Sequence, residues 1–338
     1  MPRRWRWQGH VAQLAGTALA VVLCLTPATP SAQVVPLKLV STAWTPFTND
    51  VGQPRFALDL VEAALGRFGV TTSTTIVPPS EFTRALLGND FDGSGAAWKD
   101  PQRESALLFS QPYLENRLML VGRKGSDVSA TSLAVLKGKR IAIVEGYSYG
   151  EIDSAGPVWV KAASEEDSLT KVLHGDADYV LMDELVVDYL LKNYPQESHS
   201  RIEMGKGPIL TRSLYLAIRR SRPDSESIIS RFNAQLKNMI MDRTYHRLLH
   251  EDWIRADVGD TGLEAYIPAN DHVGQKPPDH VYSLVWNPRP VVETSTGGFY
   301  FGGTIYPDWA SVPNKYKVDD PQNPDSRRST ASIFKFVW

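Results

Sequence analysis

The chain reads as an α/β protein of two lobes, and three observations carry that reading. Strands and helices alternate as β-α-β-α-β in the first half, the alternation restarts near Leu133, and a local pattern recurs between the halves. Leu86-Leu-Gly88…Asp92 and Val172-Leu-His-Gly175…Asp178 each read as a helix stopped at glycine and an Asp that opens a short apolar strand. At 338 residues the chain is long enough for two lobes of ordinary domain size.

The elements follow in order. Leu37–Val40 reads as a strand ending at Trp44-Thr-Pro46-Phe47, where Pro46 breaks it. Leu58, Val61, Leu65 and Phe68 fall on one face of a helix over 56–68, which Gly69 ends. Thr74–Val77 is a second strand, Glu81–Leu87 a second helix, and Phe91–Ala97 a short strand buried by its small residues. An apolar strand, Leu118–Val121, closes the first half.

The second half repeats the order. Ile141–Val144 is a strand, and Gly146-Tyr147-Ser148-Tyr149-Gly150 turns into a helix. Val158–Val160 is a strand, and Ser164 caps a helix to Leu173 with Asp167 completing a capping box. Asp178–Met182 is a strand and Glu184–Leu191 a helix. Ser213–Ile218 alternates as a strand, followed by helices over Ser225–Met241 and Asp242–Leu249. Beyond Gly262 nine of the 23 prolines lie between Pro268 and Pro324, and aromatics cluster at Phe299-Tyr-Phe301-Gly-Gly303 and Tyr306-Pro-Asp-Trp309. This extension is expected to be β-rich or partly disordered. The terminal Phe334–Trp338 alternates like a strand, and one strand cannot make a barrel.

Composition bounds the class and the address. Hydrophobic content of 42% and charged content of 22% describe a globular protein. Arg3, Arg4 and Arg6 precede an uncharged apolar run from Leu14 to Leu25 and a small-residue exit ending at Ala32, the layout of a cleaved signal peptide. Cys24, the only cysteine, lies in the apolar run behind Leu23, so neither a lipid anchor nor a disulfide is expected. Removing residues 1–32 removes three arginines and no acid, which leaves 33 basic against 38 acidic groups. No basic patch stands out, so no nucleic-acid partner is expected.

One stretch says most about function: Gly95-Ala96-Ala-Trp98-Lys-Asp-Pro-Gln-Arg103…Phe109-Ser110-Gln-Pro112-Tyr113. Arginine holds a carboxylate by two parallel hydrogen bonds at fixed geometry. The stretch resembles the "T-x-x-R…F-S-x-P-Y" segment of the extracytoplasmic (periplasmic) solute-binding proteins of family 3, the amino-acid type that serves ATP-binding cassette transporters. The resemblance covers about residues 36–258. It implies a two-lobed periplasmic binding protein architecture of type II. The corresponding division is a signal peptide at 1–32, lobe 1 at 33–120 and 212–260, lobe 2 at 121–211, and the extension at 261–338. Hinges are expected near Asn116–Val121 and Leu210–Leu214.

The resemblance also implies site residues. Arg103 would hold the ligand's α-carboxylate, and Asp183 in Met182-Asp183-Glu184 would accept from its α-ammonium. Ser148 and its neighbour Tyr147 match a loop that contacts the ligand, Trp44 and Phe82 match wall aromatics, and Ala96 lies in the strand leading to Trp98. The family commonly has Ser or Thr where Trp98 stands and Thr where Asp100 stands, so Trp98 either narrows the pocket or adds a third wall. Each residue also has a plainer reading: Asp183 as the cap of the next helix, Trp44 and Phe82 as core aromatics, Arg103 as a surface cation.

The expected partners are a small zwitterionic or carboxylate ligand and a membrane permease of an ATP-binding cassette transporter, in the periplasm. No cofactor, metal or catalytic residue is expected. Three rivals compete. A dehydratase of the cyclohexadienyl type would share the fold. A serine hydrolase would use Gly146-Tyr-Ser148-Tyr-Gly150 with Asp183 and His246 or His250. A metal site could form on His246 and His250, spaced four apart, although the order is not H-E-x-x-H.

Overall fold

The computed structural model describes residues 36–150, 152, 156–194, 200–258, 264–278, 281–284 and 298–317. The signal-peptide expectation at 1–32 and the terminal strand at 334–338 lie outside the described residues. Among the described residues no helix is long and apolar enough to cross a membrane.

The elements in chain order are β1 (Leu37–Thr42), α1 (Phe56–Gly66), β2 (Thr72–Val77), α2 (Pro79–Leu87), β3 (Gly93–Trp98), α3 (Pro101–Ala106), β4 (Leu107–Phe109) and β5 (Leu114–Arg123). Then come β6 (Arg140–Val144), β7 (Val158–Ala162), α4 (Glu165–His174), β8 (Tyr179–Asp183), α5 (Glu184–Asn193), β9 (Ile202–Arg219), α6 (Ser225–Met241) and α7 (Thr244–Leu249). The C-terminal strands are β10 (Trp253–Asp257), β11 (Glu264–Pro268), β12 (Tyr282–Leu284), β13 (Gly298–Phe301) and β14 (Thr304–Tyr306).

The nine-stranded sheet runs β2-β1-β3-β9-β5-β8-β6-β7, with β4 also paired to β9. Its two ends are alike: β2-β1-β3 are parallel, and so are β8-β6-β7. The long strands β9 and β5 pair antiparallel between them and join the ends. This is the structural form of the repeat between the halves: each end is a β-α-β unit that covers its strands with its own helices.

The β5–β9 register slips on either side of Met119, where Leu118 faces Leu210 and Met119 faces Pro208. Proline cannot donate to the ladder, so a break in pairing falls there. It falls inside the stretch where the sequence placed a hinge.

Helix α1 buries Leu58, Val61 and Leu65 of the face that the apolar spacing marked, together with Phe56 and Leu60, but it ends at Gly66, so Phe68 lies beyond it in the turn before Gly69. In α4 the Ser164 hydroxyl accepts from Asp167 N at 3.2 Å, while the Asp167 carboxylate reaches Ala163 N at 2.8 Å, one residue earlier than a strict capping box. Two sequence expectations are corrected. Gly146–Gly150 is an irregular turn, and among the described residues no helix follows it before β7. The helix expected from Asp242 starts only at Thr244, because Arg243 takes a left-handed conformation (φ 67°) that breaks the run after α6.

The extension folds as a second, five-stranded sheet, β12-β10-β11-β13-β14. It begins earlier than the composition shift suggested, since β10 already belongs to it. Strands β13 and β14 form a hairpin across Gly302 and Gly303, both at positive φ (53° and 85°), the backbone that a two-residue hairpin turn demands. Trp253, Phe301 and Val312 are buried here with Trp309 and Tyr316 around them.

Candidate functional site

A narrow cleft of about 30 Å³, open to solvent at its mouth, lies where the two ends of the main sheet face each other. Thr42, Trp44, Phe82, Ala96, Trp98 and Arg103 line it from the first half, Tyr147 and Ser148 from the second, and Leu214 from β9. Of the eight site residues inferred from sequence, seven are in this wall. The eighth, Asp183, is not.

Arg103 is 3% exposed and anchors the cleft floor from α3. Asp100 caps that helix by accepting from Arg103 N at 2.8 Å, and its second oxygen lies 3.2 Å from Arg103 Nε. Nη1 donates to Trp98 O at 3.0 Å and Nη2 to Thr83 Oγ1 at 3.0 Å and Gly146 O at 3.4 Å. The Phe82 ring lies 5.3 Å from the guanidinium carbon. Burial draws the Arg103 pKa below its ordinary value, and Asp100 opposes that shift.

Contacts across the cleft hold the walls together. Thr83 Oγ1 donates to Gly146 O at 3.4 Å, and the Tyr147 hydroxyl lies 3.4 Å from Thr42 Oγ1. Gly146 sits at φ +92°, and a Cβ there would stand 2.1 Å from Pro79 O. Only glycine permits this approach of the two walls.

The aromatic residues form a box. The Tyr147 ring centroid is 5.7 Å from that of Trp44 and 5.7 Å from that of Trp98. Trp44 and Trp98 meet edge to face at 5.5 Å, and Tyr149 lies 5.5 Å from Trp98. Trp98 is therefore a wall: it narrows the cleft and supplies a ring. Its indole Nε1 is committed to Asn116 Oδ1 at 2.7 Å.

Asp183 requires a correction. It is 1% exposed, and its carboxylate caps α5 by accepting from Leu185 N at 2.8 Å while accepting from Asn116 Nδ2 at 3.1 Å. The capping reading is the one realised, and Asp183 stands behind the wall, joined to Trp98 through Asn116. Burial pushes its pKa up to about 8 despite these donors.

Sequence reasoning also missed Thr42, Leu214, Asn116 and Glu165. Leu214 sits on a strand already assigned and Thr42 at the end of β1, two residues past the strand expected from sequence, and only the strand pairing turns them to the cleft. Glu165, 8% exposed, opens α4 behind the box, with its carboxyl facing the Trp44 indole N–H. Neither group makes an aligned hydrogen bond: Glu165 Oε2 and Trp44 Nε1 are both unpartnered among the described residues. Burial, Asp183 and Glu166 push the Glu165 pKa up to about 8.

The hydrolase and metal arrangements do not assemble. Neither His246 nor His250 lines the cleft. His246 is buried with Nε2 3.0 Å from Ile267 O, whereas His250 is exposed at the end of α7, so the two do not converge.

Comparison with known proteins agrees with this geometry. The family model for bacterial extracellular solute-binding proteins, family 3, matches residues 39–256. The chain is 27% identical over 151 residues to ABC transporter arginine-binding protein 1 of Escherichia coli K12, spanning 44% of this chain and only 60% of that protein's length. It is 23% identical over 208 residues to putative ABC transporter arginine-binding protein 2 of the same organism, spanning 58% and 80%. The solved structure of an ancestral arginine-binding protein bound to arginine aligns with a TM-score of 0.53 and 22% identity, over 64% of this chain and 96% of that one. The fold is thus the two-lobed, type II periplasmic binding protein fold. A matched family model over most of the chain, on a sheet built from two equivalent ends around one cleft, means that this protein belongs to the bacterial extracellular solute-binding proteins, family 3.

Proposed function

We propose that the protein binds a small solute, an amino acid or related carboxylate, in the periplasm and carries it to the permease of an ATP-binding cassette transporter. The observation that carries this reading is a buried arginine on the floor of a cleft walled by aromatic rings from both halves. A ligand that touches Arg103 from one side and Ser148 and Tyr147 from the other binds the closed arrangement best and shifts the population toward it. Arg103 shares a long contact with Gly146 O, and a ligand carboxylate is the stronger acceptor that would take those donors. Ser148 would contact the ligand at the rim, with Phe82, Ala96 and Trp44 shaping the wall around it. Binding proceeds without turnover.

Isothermal titration of the mature protein against amino acids tests this. Replacing Arg103 by Ala is expected to cost about 2–5 kcal/mol of affinity for a carboxylate ligand, because that group is left buried and unpaired. Near-native affinity in R103A would remove Arg103 from the ligand contacts. Product formation in the presence of prephenate or arogenate would reinstate the enzyme reading.

A further inference from the structure

We infer that Asn116 and Arg212, which face each other across the two crossing strands, are positioning residues for Trp98: they fix its indole as a wall of the cleft and so set the bulk of ligand that the cleft admits. The inference rests on the solute-binding reading above and names what limits the ligand.

Two observations carry it. The first is the strand register. Asn116 of β5 pairs directly with Arg212 of β9, and residues opposed in an antiparallel pair present their side chains to the same face. Leu214, two residues beyond Arg212, lines the cleft, so that face is the one that looks into it. Both side chains then converge on Trp98. The Asn116 amide oxygen accepts from the Trp98 indole N–H at 2.7 Å, with both residues buried. The Arg212 guanidinium carbon lies 6.0 Å from the indole ring, and its Nη2 donates at 2.7 Å to Lys99 O, the carbonyl that follows Trp98. Burial draws the Arg212 pKa below its ordinary value, and a desolvated cation gains most from a ring face. Trp98 O in turn accepts from Arg103. The indole is thus held by its N–H, by its ring face and through the backbone beside it.

The second observation is that both residues also reach the other half of the molecule. Asn116 Nδ2 donates to Asp183 Oδ2 at 3.1 Å, at the end of β8. Gly150 stands against Arg212: a Cβ on that glycine would lie 3.0 Å from Nη1. The pair therefore holds Trp98 against both halves at once. Trp44, Tyr147 and Tyr149 surround the indole at 5.5–5.7 Å, so any movement of Trp98 alters the wall they form together. In a cleft of only about 30 Å³ the place of one indole decides what fits.

The test uses the full mature chain and four probes that share one backbone and differ in bulk: L-alanine, L-leucine, L-phenylalanine and L-tryptophan, by calorimetry. N116A and R212M are each expected to shift the ratio of affinities for L-tryptophan and L-alanine at least threefold toward the larger ligand, and R212K to recover part of the shift. W98F removes the indole donor, so adding N116A to it should move the ratio by less than twofold further. The indole N–H resonance of Trp98, assigned by its loss in W98F, should exchange with solvent at least tenfold faster in N116A and R212M than in the wild type. A ratio within twofold of the wild type in R212M would overturn the inference while leaving solute binding intact. So would an equal loss of affinity for all four probes, or a full additional effect of N116A on W98F. If N116A does not fold, R212M and the indole resonance decide. No response to any probe by the wild-type protein would overturn the solute-binding reading for amino acids, and the indole exchange rate, which needs no ligand, would still decide whether the pair positions Trp98.

Discussion

Among the individual residues, the buried carboxyls decide how the site responds to pH. Glu165 holds its proton up to about pH 8 in the folded chain, against 4.5 ordinarily. The folded state therefore binds more protons than the unfolded state between those values. This contribution to stability is complete below about pH 4.5 and is lost as pH rises through about 8. In E165Q the decline of melting temperature with rising pH should be shallower than in the wild type, and an unchanged slope would mean that Glu165 ionises freely. Much of the wall was legible because a linear motif carried it. Arg103, Trp98 and Ala96 share one short segment, and Trp44, Tyr147 and Ser148 sit in turns after strands, where an α/β sheet presents its ligand residues. Asp183 was ambiguous because a helix-capping carboxylate and a ligand-binding one look alike in sequence. Glu165 was invisible, since an acid in the first turn of a helix is ordinary and only tertiary packing buries it.

Among the elements, the central pattern was readable and the connections were not. Small-residue β3, apolar β8 and the amphipathic α1 declare themselves by composition and period. The turn at Gly146–Gly150 reads as a helix start only if its two glycines are ignored, and both take positive φ. Strand β10 was missed because Trp253–Asp257 is only five residues long and its apolar Trp253 and Ile254 are adjacent rather than alternating; its pairing partner β11 supplies the order. The contact from α7 to β11 makes a test at this scale. Burial lowers the His246 pKa to about 4 from 6.5, with Ile267 O accepting from its ring N–H and Arg243 and Arg247 repelling a second proton. The unfolded chain takes up a proton here before the folded one does. The stability that depends on neutral His246 is present above about pH 6.5 and is lost as pH falls toward about 4. H246Q keeps a donor for Ile267 O and cannot be protonated. Its denaturation midpoint should change less than the wild type's between those two pH values, and parallel curves for the two proteins would place the acid sensitivity elsewhere.

At the scale of the whole molecule, the second sheet is part of the main body, although the family match ends at residue 256. Ile254 and Ala256 of β10, Ile267 of β11 and Leu284 of β12 belong to the same buried cluster as the core of the first half. Strand β12 also lies against β5, the strand that carries the register break between the two ends of the sheet. Arg243 pairs with Asp271 at 3.3 Å and His246 Nε2 lies 3.0 Å from Ile267 O, so the α7 region ties the second sheet to the body. Truncation after Val258 would keep the whole family match, yet it would strip β10 of both neighbours and expose its inner face. Ile267 and Leu284 alone each represent about 1.5–3 kcal/mol of burial. The loss of both, with β10's edges opened, should lower the melting temperature by roughly 6–24 °C, at the about 2–4 °C per kcal/mol that holds for 150–250 residues. A truncated protein melting within about 2 °C of the full chain would show that the second sheet is an independent appendage. Because β12 abuts the crossing strand, truncation should also change the hinge: with the same ligand, the shortened protein should show a different closing rate in stopped-flow tryptophan fluorescence, read from Trp44 and Trp98, whose surroundings change when Tyr147 moves. Equal closing rates in the two proteins would limit the second sheet to holding the fold together.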